Sequence, residues 1–390
     1  MVLTSGTAAT KELKRDPDTG MIRVLYVGAP FMASPYWAFK TDPLLATTPV
    51  DGNLFGIPAT EVERAMRLYM PRTKQALVTG YDVIGLDDTT CKAFRQDLIQ
   101  WMVDGCIDDG QGIFMAGGFE SFWGWGFPSW SNTVLDRVLP VDCDSHYILE
   151  DARNVLTDKE DEFMRSIPWD EYDQHSIFWG YNVVMKRPEA RQLSYLAYRD
   201  RTDPGWVWWD VGEGRFFASA CGFRGGSAGA GFIRWRSYPD FVCNLVYFLA
   251  GLKPPSDINL LHAVRDRLRD ILDERQVVSG TIDFVSRFGA DTRNVDRKLS
   301  EAEAELKQAR AYYVDLDLEQ SRAKADDVFK LLEDAYELAL DARDAALFWI
   351  FLTEWLVVTG TGLICGLALW TLMIRRKLFK EVKVTRGKEA

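Results

Sequence analysis

The residues best placed to do chemistry in this chain sit on glycine-flanked turns. Gln111-Gly-Ile-Phe-Met-Ala116 is an apolar run closed by Gly117-Gly118, and Phe119, Glu120 and Ser121 follow at once. A strand ending in such a turn exposes the next side chains, so Glu120 and Ser121 are candidate nucleophiles or acids. Asp87-Asp88 closes a second apolar run from Tyr81, and Cys221 closes a third, Arg215 to Ala220. Bases are scarce, since only His146, His175 and His262 exist. His146 stands with Asp142 and Asp144, which reads either as a metal-ligand set or, more simply, as a solvated loop; His175, in Asp173-Gln174-His175, reads the same way. The six cysteines form no CxxC pair, so a zinc ribbon or redox dithiol is not indicated, and the spread suits unpaired thiols in a reducing compartment. No cofactor is called for. The glycine-rich stretch Gly222 to Gly231 lacks the Lys-Ser or Lys-Thr ending of a phosphate-binding loop.

Two aromatic clusters stand near these turns: Trp123, Trp125 and Trp130, then Trp206, Trp208 and Trp209. Indole faces could stack on a sugar or a base, or fold back as the core of a lid. The expected ligand-binding set is Gly117, Gly118, Phe119, Glu120 and Asp87, with Trp123 and Trp125 above.

The elements that must position these residues alternate. Ile22 to Gly28 reads as a first strand, Thr60 to Leu68 as a helix, Tyr81 to Asp87 as a strand, Cys91 to Val103 as a helix, and Gln111 to Gly117 as a strand. Late in the domain come the strand Arg215 to Ala220 and the helix Tyr238 to Ala250. Alternation of this kind predicts an α/β fold, a flavodoxin-like open, mostly parallel sheet with helices on both faces and ligands at the carboxyl ends of its strands. The expected division is a flexible segment 1–20, an α/β domain 21–252, a helical stalk 253–345, a transmembrane helix 346–374 and a basic tail 375–390.

The segments "YDVIGLDD", "GQGIFMAGGFESFWGWGFPSW", "VLDRVLPVD" and "GEGRFFASACG" through "WRSYPDFVCNLVYFLAG" resemble the class I glutamine amidotransferase-like superfamily. They are most similar to its membrane-associated members and to the trehalose-utilisation type. The resemblance covers roughly residues 20–252. It implies a cysteine on a G-x-C-x-G elbow and a histidine base after the late strand. Here Phe119 or Glu120 stands at the elbow and Ala218-Ser-Ala-Cys221 where the histidine belongs. The expectation is therefore a protein without amidotransferase chemistry, acting as a ligand-binding or scaffolding subunit. The alternative is a hydrolase or amidotransferase using Glu120, Ser121 or Cys221.

Beyond Pro254-Pro255 the composition becomes that of amphipathic helices. A helix is expected from Asp257 to Val278. A helical hairpin follows, with Leu299, Ala302, Leu306, Ala309 and Tyr313 on one arm and Val328, Leu331, Leu332, Ala335, Leu338 and Ala342 on the other. Its turn falls at 314–317, and it reads as a spacer or a partner-binding coiled coil. Trp355 to Ile374 then gives 20 uncharged residues, enough for about 30 Å of helix. Gly362 and Gly366 make a GxxxG within it, a face for a second copy or a membrane-protein partner. Arg375-Arg376-Lys377 stops the run. Residues 375–390 hold seven basic side chains against Glu381 and Glu389, a net of +5, which leaves the rest of this −11 chain at −16. An acid-rich body argues against a nucleic-acid partner. A single-pass protein of the cell membrane is expected, the lipid bilayer its partner and the basic tail cytoplasmic. The 20 N-terminal residues contain no apolar signal segment, which leaves the side of the large domain open.

Overall fold

A computed structural model of the chain describes residues 13–386, apart from 31–32, 55–56, 124–125, 127, 226–228 and 288–290. It divides into two compact units. The first comprises residues up to Arg265 together with Arg310–Ser321, the second Asp266–Ala309 together with the residues from Arg322 onward.

The first unit is mixed α/β. Its opening half runs β1 (Ile22–Gly28), α1 (Pro35–Thr41), β2 (Leu45–Asp51), α2 (Ala59–Tyr69), α3 (Lys74–Gly80), β3 (Val83–Asp87), α4 (Gln96–Asp109) and β4 (Gly112–Ala116). A run of strands follows: β5 (Val141–Leu156), β6 (Ile177–Lys186), β7 (Arg191–Gln192), β8 (Ser194–Tyr198), β9 (Arg201–Pro204), β10 (Trp206–Val211) and β11 (Gly214–Ser219). Then come α5 (Gly229–Arg234) and α6 (Tyr238–Leu249). The seven-stranded sheet has the order β2-β1-β3-β4-β11-β10-β7. From β2 to β11 neighbours are parallel, while β10 and β7 run antiparallel at one side. β1, β3 and β4 are almost wholly buried, as strands covered on both faces must be. α6 packs on β4, β11 and α1, and α4 on β11 and α3. α4 stops at Gly110, whose φ of 72° is the left-handed conformation that ends a helix.

Beside the expected mostly parallel sheet lies a second one that the sequence reading did not include. β6-β5-β8-β9 form a separate antiparallel sheet of four strands. Its pattern is hidden in the sequence because the β5–β6 register shifts twice, between Cys143 and Tyr147 and between Ile148 and Asp151, and each irregularity moves the apolar phase. The acidic stretch around His146 is thus part of a strand. β2 was also missed. It is an edge strand containing Pro49, a residue that edges tolerate and central strands do not.

The second unit is helical. α7 (Ile258–Ser286), α8 (Arg293–Val314) and α9 (Leu318–Arg386) share a core of Val278, Val295, Ala335 and Ala339, flanked by Ile282, Leu299, Tyr336 and Leu338. Ion pairs knit the three helices: Arg267–Asp326 at 2.8 Å, Lys298–Asp334 at 3.0 Å and Lys324–Glu305 at 2.7 Å. Leu316, with φ 56°, makes the turn into α9. α9 is one unbroken helix. Past Ala346 its large apolar residues are exposed, Trp355 and Val358 at more than 70%. It is long and apolar enough to cross a membrane, and none of its most apolar window is buried.

Candidate functional site

The parallel strands bring five chain reversals to one edge. Register places Gly28 beside Asp51, and Asp87 and Ser219 on either side of Ala116, so the ends of β1, β2, β3, β4 and β11 lie in line. Four carboxylates gather there: Asp51, Asp87, Asp88 and Glu120. The last three are fully buried, with one buried guanidinium, Arg224, among them.

The elbow after β4 is built around Asp88. This residue adopts φ 50°, which costs a non-glycine residue about 1 kcal/mol and aims its carboxylate back over the next strand end. Its Oδ1 accepts the Glu120 N–H at 2.7 Å, and its Oδ2 accepts from Arg224 Nη2. Gly118 is obligatory here. Its φ is +152°, and a Cβ on it would lie 2.1 Å from Asp88 Cγ. The Glu120 carboxylate turns away and accepts the Leu54 N–H with both oxygens, at 2.8 and 3.0 Å. Ser121 Oγ donates to the Ala116 carbonyl at 2.6 Å. Asn182, from β6, closes the turn: its Oδ1 accepts the Gly118 N–H at 2.8 Å and its Nδ2 donates to the Ser121 carbonyl at 3.0 Å.

Asp87 lies beneath. Its Oδ2 accepts from the Tyr26 hydroxyl at 2.5 Å. Burial pushes its carboxyl up to about 6, against the opposing pull of the Tyr26 hydrogen bond and the Arg224 charge. Asp51, half-buried, is raised by burial as well. Gly28 leaves room for this pair, since a Cβ there would meet Tyr26 Oη at 3.0 Å and Asp87 Cβ at 3.1 Å.

The three candidate nucleophiles are not brought to a base. Cys221 is fully buried, its thiol pushed up to about 12 by burial, with Ser219 Oγ 3.4 Å away. A thiol so far from ionisation is a packing group at neutral pH. His146 meets Asp144 at 2.9 Å, His175 Nδ1 meets the Gly231 carbonyl at 2.8 Å, and His262 Nε2 meets both oxygens of Asp240 at 2.8 Å. His262, expected on the stalk, therefore packs against α6 in the first unit. Among the described residues no three His, Cys, Asp or Glu side chains converge in a way that could hold a metal ion.

Of the expected aromatic set, Phe119 packs at a tilt 5.2 Å from Tyr147 and meets Trp179 edge-on at 5.9 Å, a ring shelf beside the elbow. Trp123 is partly exposed; Trp125 lies outside the described residues. Trp206 and Trp208 are buried in β10 against Phe241 and Phe248, and Trp130 is buried with its indole N–H on the Thr89 carbonyl. Of the two readings, stacking and core, these three take the core one: Trp206 and Trp208 alternate along a covered strand, and Trp130 is buried in a short helical turn. Sequence reasoning missed Tyr26, Tyr147, Asn182 and Arg224. The one local signal was a lone arginine, Arg224, in a glycine-rich turn after a buried strand.

Chemically the arrangement is a closed network. In an acyl-transfer elbow the amide after the nucleophile receives a developing oxyanion. With Phe119 at the elbow position the amide that follows is that of Glu120, and it is already occupied by the Asp88 carboxylate, so an oxyanion arriving there would meet negative charge.

The family model described as "Putative glutamine amidotransferase" matches residues 77–251. No curated protein matches the chain. Among solved structures, the cytoplasmic protein STM1381 from Salmonella typhimurium LT2 is 19% identical with a TM-score of 0.48, covering 58% of this chain and 99% of its own. The cytoplasmic protein STM3548 from Salmonella typhimurium is 17% identical, again with a TM-score of 0.48 and the same coverage. Over residues 77–251, then, the chain carries a domain of the glutamine amidotransferase-like superfamily.

Proposed function

We propose that this is a membrane-anchored, non-catalytic glutamine amidotransferase-like protein that serves as a ligand-binding or scaffolding subunit. The observation that carries the reading is the Asp88 carboxylate seated on the Glu120 amide and paired with Arg224, where catalysis would need an open oxyanion site. Supporting it, Glu120, Ser121 and Cys221 are all buried and engaged, and none has an imidazole beside it. A ligand would be read by the Phe119–Tyr147–Trp179 shelf and the acidic edge below it.

Anchoring rests on the apolar part of α9, with a single pass and the basic segment after Ile374 on the cytoplasmic side. Gly362 and Gly366, with Thr359, Leu363, Leu367 and Trp370, form an open groove on that helix. A Cβ on either glycine would touch nothing within 4 Å, which suits close approach by a helix of a second copy or of another membrane protein.

The full chain, purified in detergent and given glutamine, is expected to release ammonia no faster than buffer. Turnover that Cys221→Ala, Ser121→Ala or Glu120→Gln abolishes would establish the alternative reading.

A further inference from the structure

α9 does not end at the apolar boundary. It continues as helix through Arg386, so the basic residues after Ile374 ride a rigid extension of the span. Their distance from the hydrocarbon is therefore fixed by helical rise, about 1.5 Å per residue. Arg375, Arg376 and Lys377 fall within the first 5 Å or so, inside the headgroup layer of a bilayer whose apolar edge is at Ile374. Lys380, Lys383 and Arg386 start roughly 9–18 Å out along the helix, beyond a Debye length at physiological salt. Leu378 and Phe379 follow the basic triplet and are exposed, Phe379 at 76%. An apolar pair flanked by cations at headgroup depth is the composition of an interfacial anchor. Upstream of the span the charge is opposite: the chain before Arg375 carries −16. In the turns just before the span the charges are Asp341, Arg343, Asp344 and Glu354, a net of −2, so the cluster of cations lies at one end only.

Resting on the membrane reading above, we propose that Arg375, Arg376 and Lys377 form a binding collar for anionic lipid headgroups, with acidic phospholipid as the occupant. Complementary charge selects it. A zwitterionic headgroup presents an ammonium along with its phosphate and gains little from a ring of cations, while each basic residue near an anionic surface adds attraction. The collar is graded, because only residues held at headgroup height can contribute.

Trp370 lies one turn inside the collar and can report on it. The full chain, carrying Trp349→Phe and Trp355→Phe to silence the indoles at the other end of the span, is reconstituted into nanodiscs of mixed phosphatidylcholine and phosphatidylserine. One or the other lipid is brominated, and the part of the quenching that Trp370→Phe removes gives the preference for serine over choline headgroups. The expected preference is about five-fold. It is expected to fall to about one in the Arg375→Gln, Arg376→Gln, Lys377→Gln triple variant, and to stay within two-fold in Lys383→Gln, Arg386→Gln. Equal quenching by both lipids in the parent chain, or a preference that survives the triple variant, overturns the proposal. So does loss of the preference to inorganic phosphate at matched ionic strength, which would make the collar a site for free phosphate. If neither brominated lipid quenches Trp370, it is the membrane reading that fails.

Discussion

Replacing Arg224 with methionine is expected to destabilise the first unit by about 3–5 kcal/mol, the largest effect of any single substitution at the elbow. The reason is the imbalance it would expose. Arg224 is 3% exposed and is the buried cation facing Asp88, which is itself fully buried, with Asp87 adjoining. Methionine keeps most of the volume and removes the charge, so what is lost is compensation for a carboxylate that cannot reach water. The Arg224→Met, Asp88→Asn double variant should recover most of the loss. Asparagine tolerates the positive φ at position 88 and can still accept the Glu120 N–H. Chemical denaturation of the full chain in detergent, followed by near-ultraviolet circular dichroism of the tryptophans, measures both. A single variant within 1 kcal/mol of the parent would show that the pair does not hold the elbow.

Asp87 should give the opposite sign. Its carboxyl is raised from an ordinary value near 3.8 to about 6 by burial, so the folded state holds a proton that the unfolded chain has released. Its ionised form therefore costs stability above pH 6, and that cost disappears as pH falls toward 4. A shift of about two pH units corresponds to about 3 kcal/mol. Asp87→Asn is accordingly expected to stabilise the unit by about 1–3 kcal/mol at pH 7.5, less whatever the Tyr26 hydrogen bond loses on meeting a neutral amide, and to give no gain at pH 4.5. Urea denaturation at the two pH values tests this. A destabilised variant at pH 7.5 would mean that Asp87 is worth more as a charge, and so that Arg224 reaches it more strongly than its partnership with Asp88 implies.

Both effects turn on residues that the sequence ranked unevenly. Asp87 was expected at the site because it ends a buried parallel strand, and such ends are where a doubly covered sheet exposes side chains. The elbow, Gly117 to Ser121, was legible for the same reason. Arg224 and Asn182 were not, since they arrive from 136 and 64 residues away along the chain from their partners Asp88 and Gly118, and no local period encodes such a meeting. The central strands β1, β3 and β4 and the helix α6 announced themselves as unbroken apolar runs. The antiparallel sheet did not, because Tyr147, Ile148 and Asp151 sit at register shifts that scramble alternation. Trp206 and Trp208 misled for a related reason: glycine and proline before them suggested a loop, while tertiary packing made them strand core. α9 was the clearest element of all. A bilayer-length apolar run needs no partner segment to be recognised, and its GxxxG and basic boundary are local patterns.

That the elbow holds no working nucleophile can be tested most directly with an electrophilic diazoketone analogue of glutamine, which alkylates the attacking side chain of an amidotransferase site. The full chain is incubated with it and weighed intact. The account predicts an unchanged mass, because Glu120 is bonded to Leu54, Ser121 to the Ala116 carbonyl, and Cys221 is buried with its thiol protonated. A single stoichiometric adduct mapped to Glu120, Ser121 or Cys221 would contradict it.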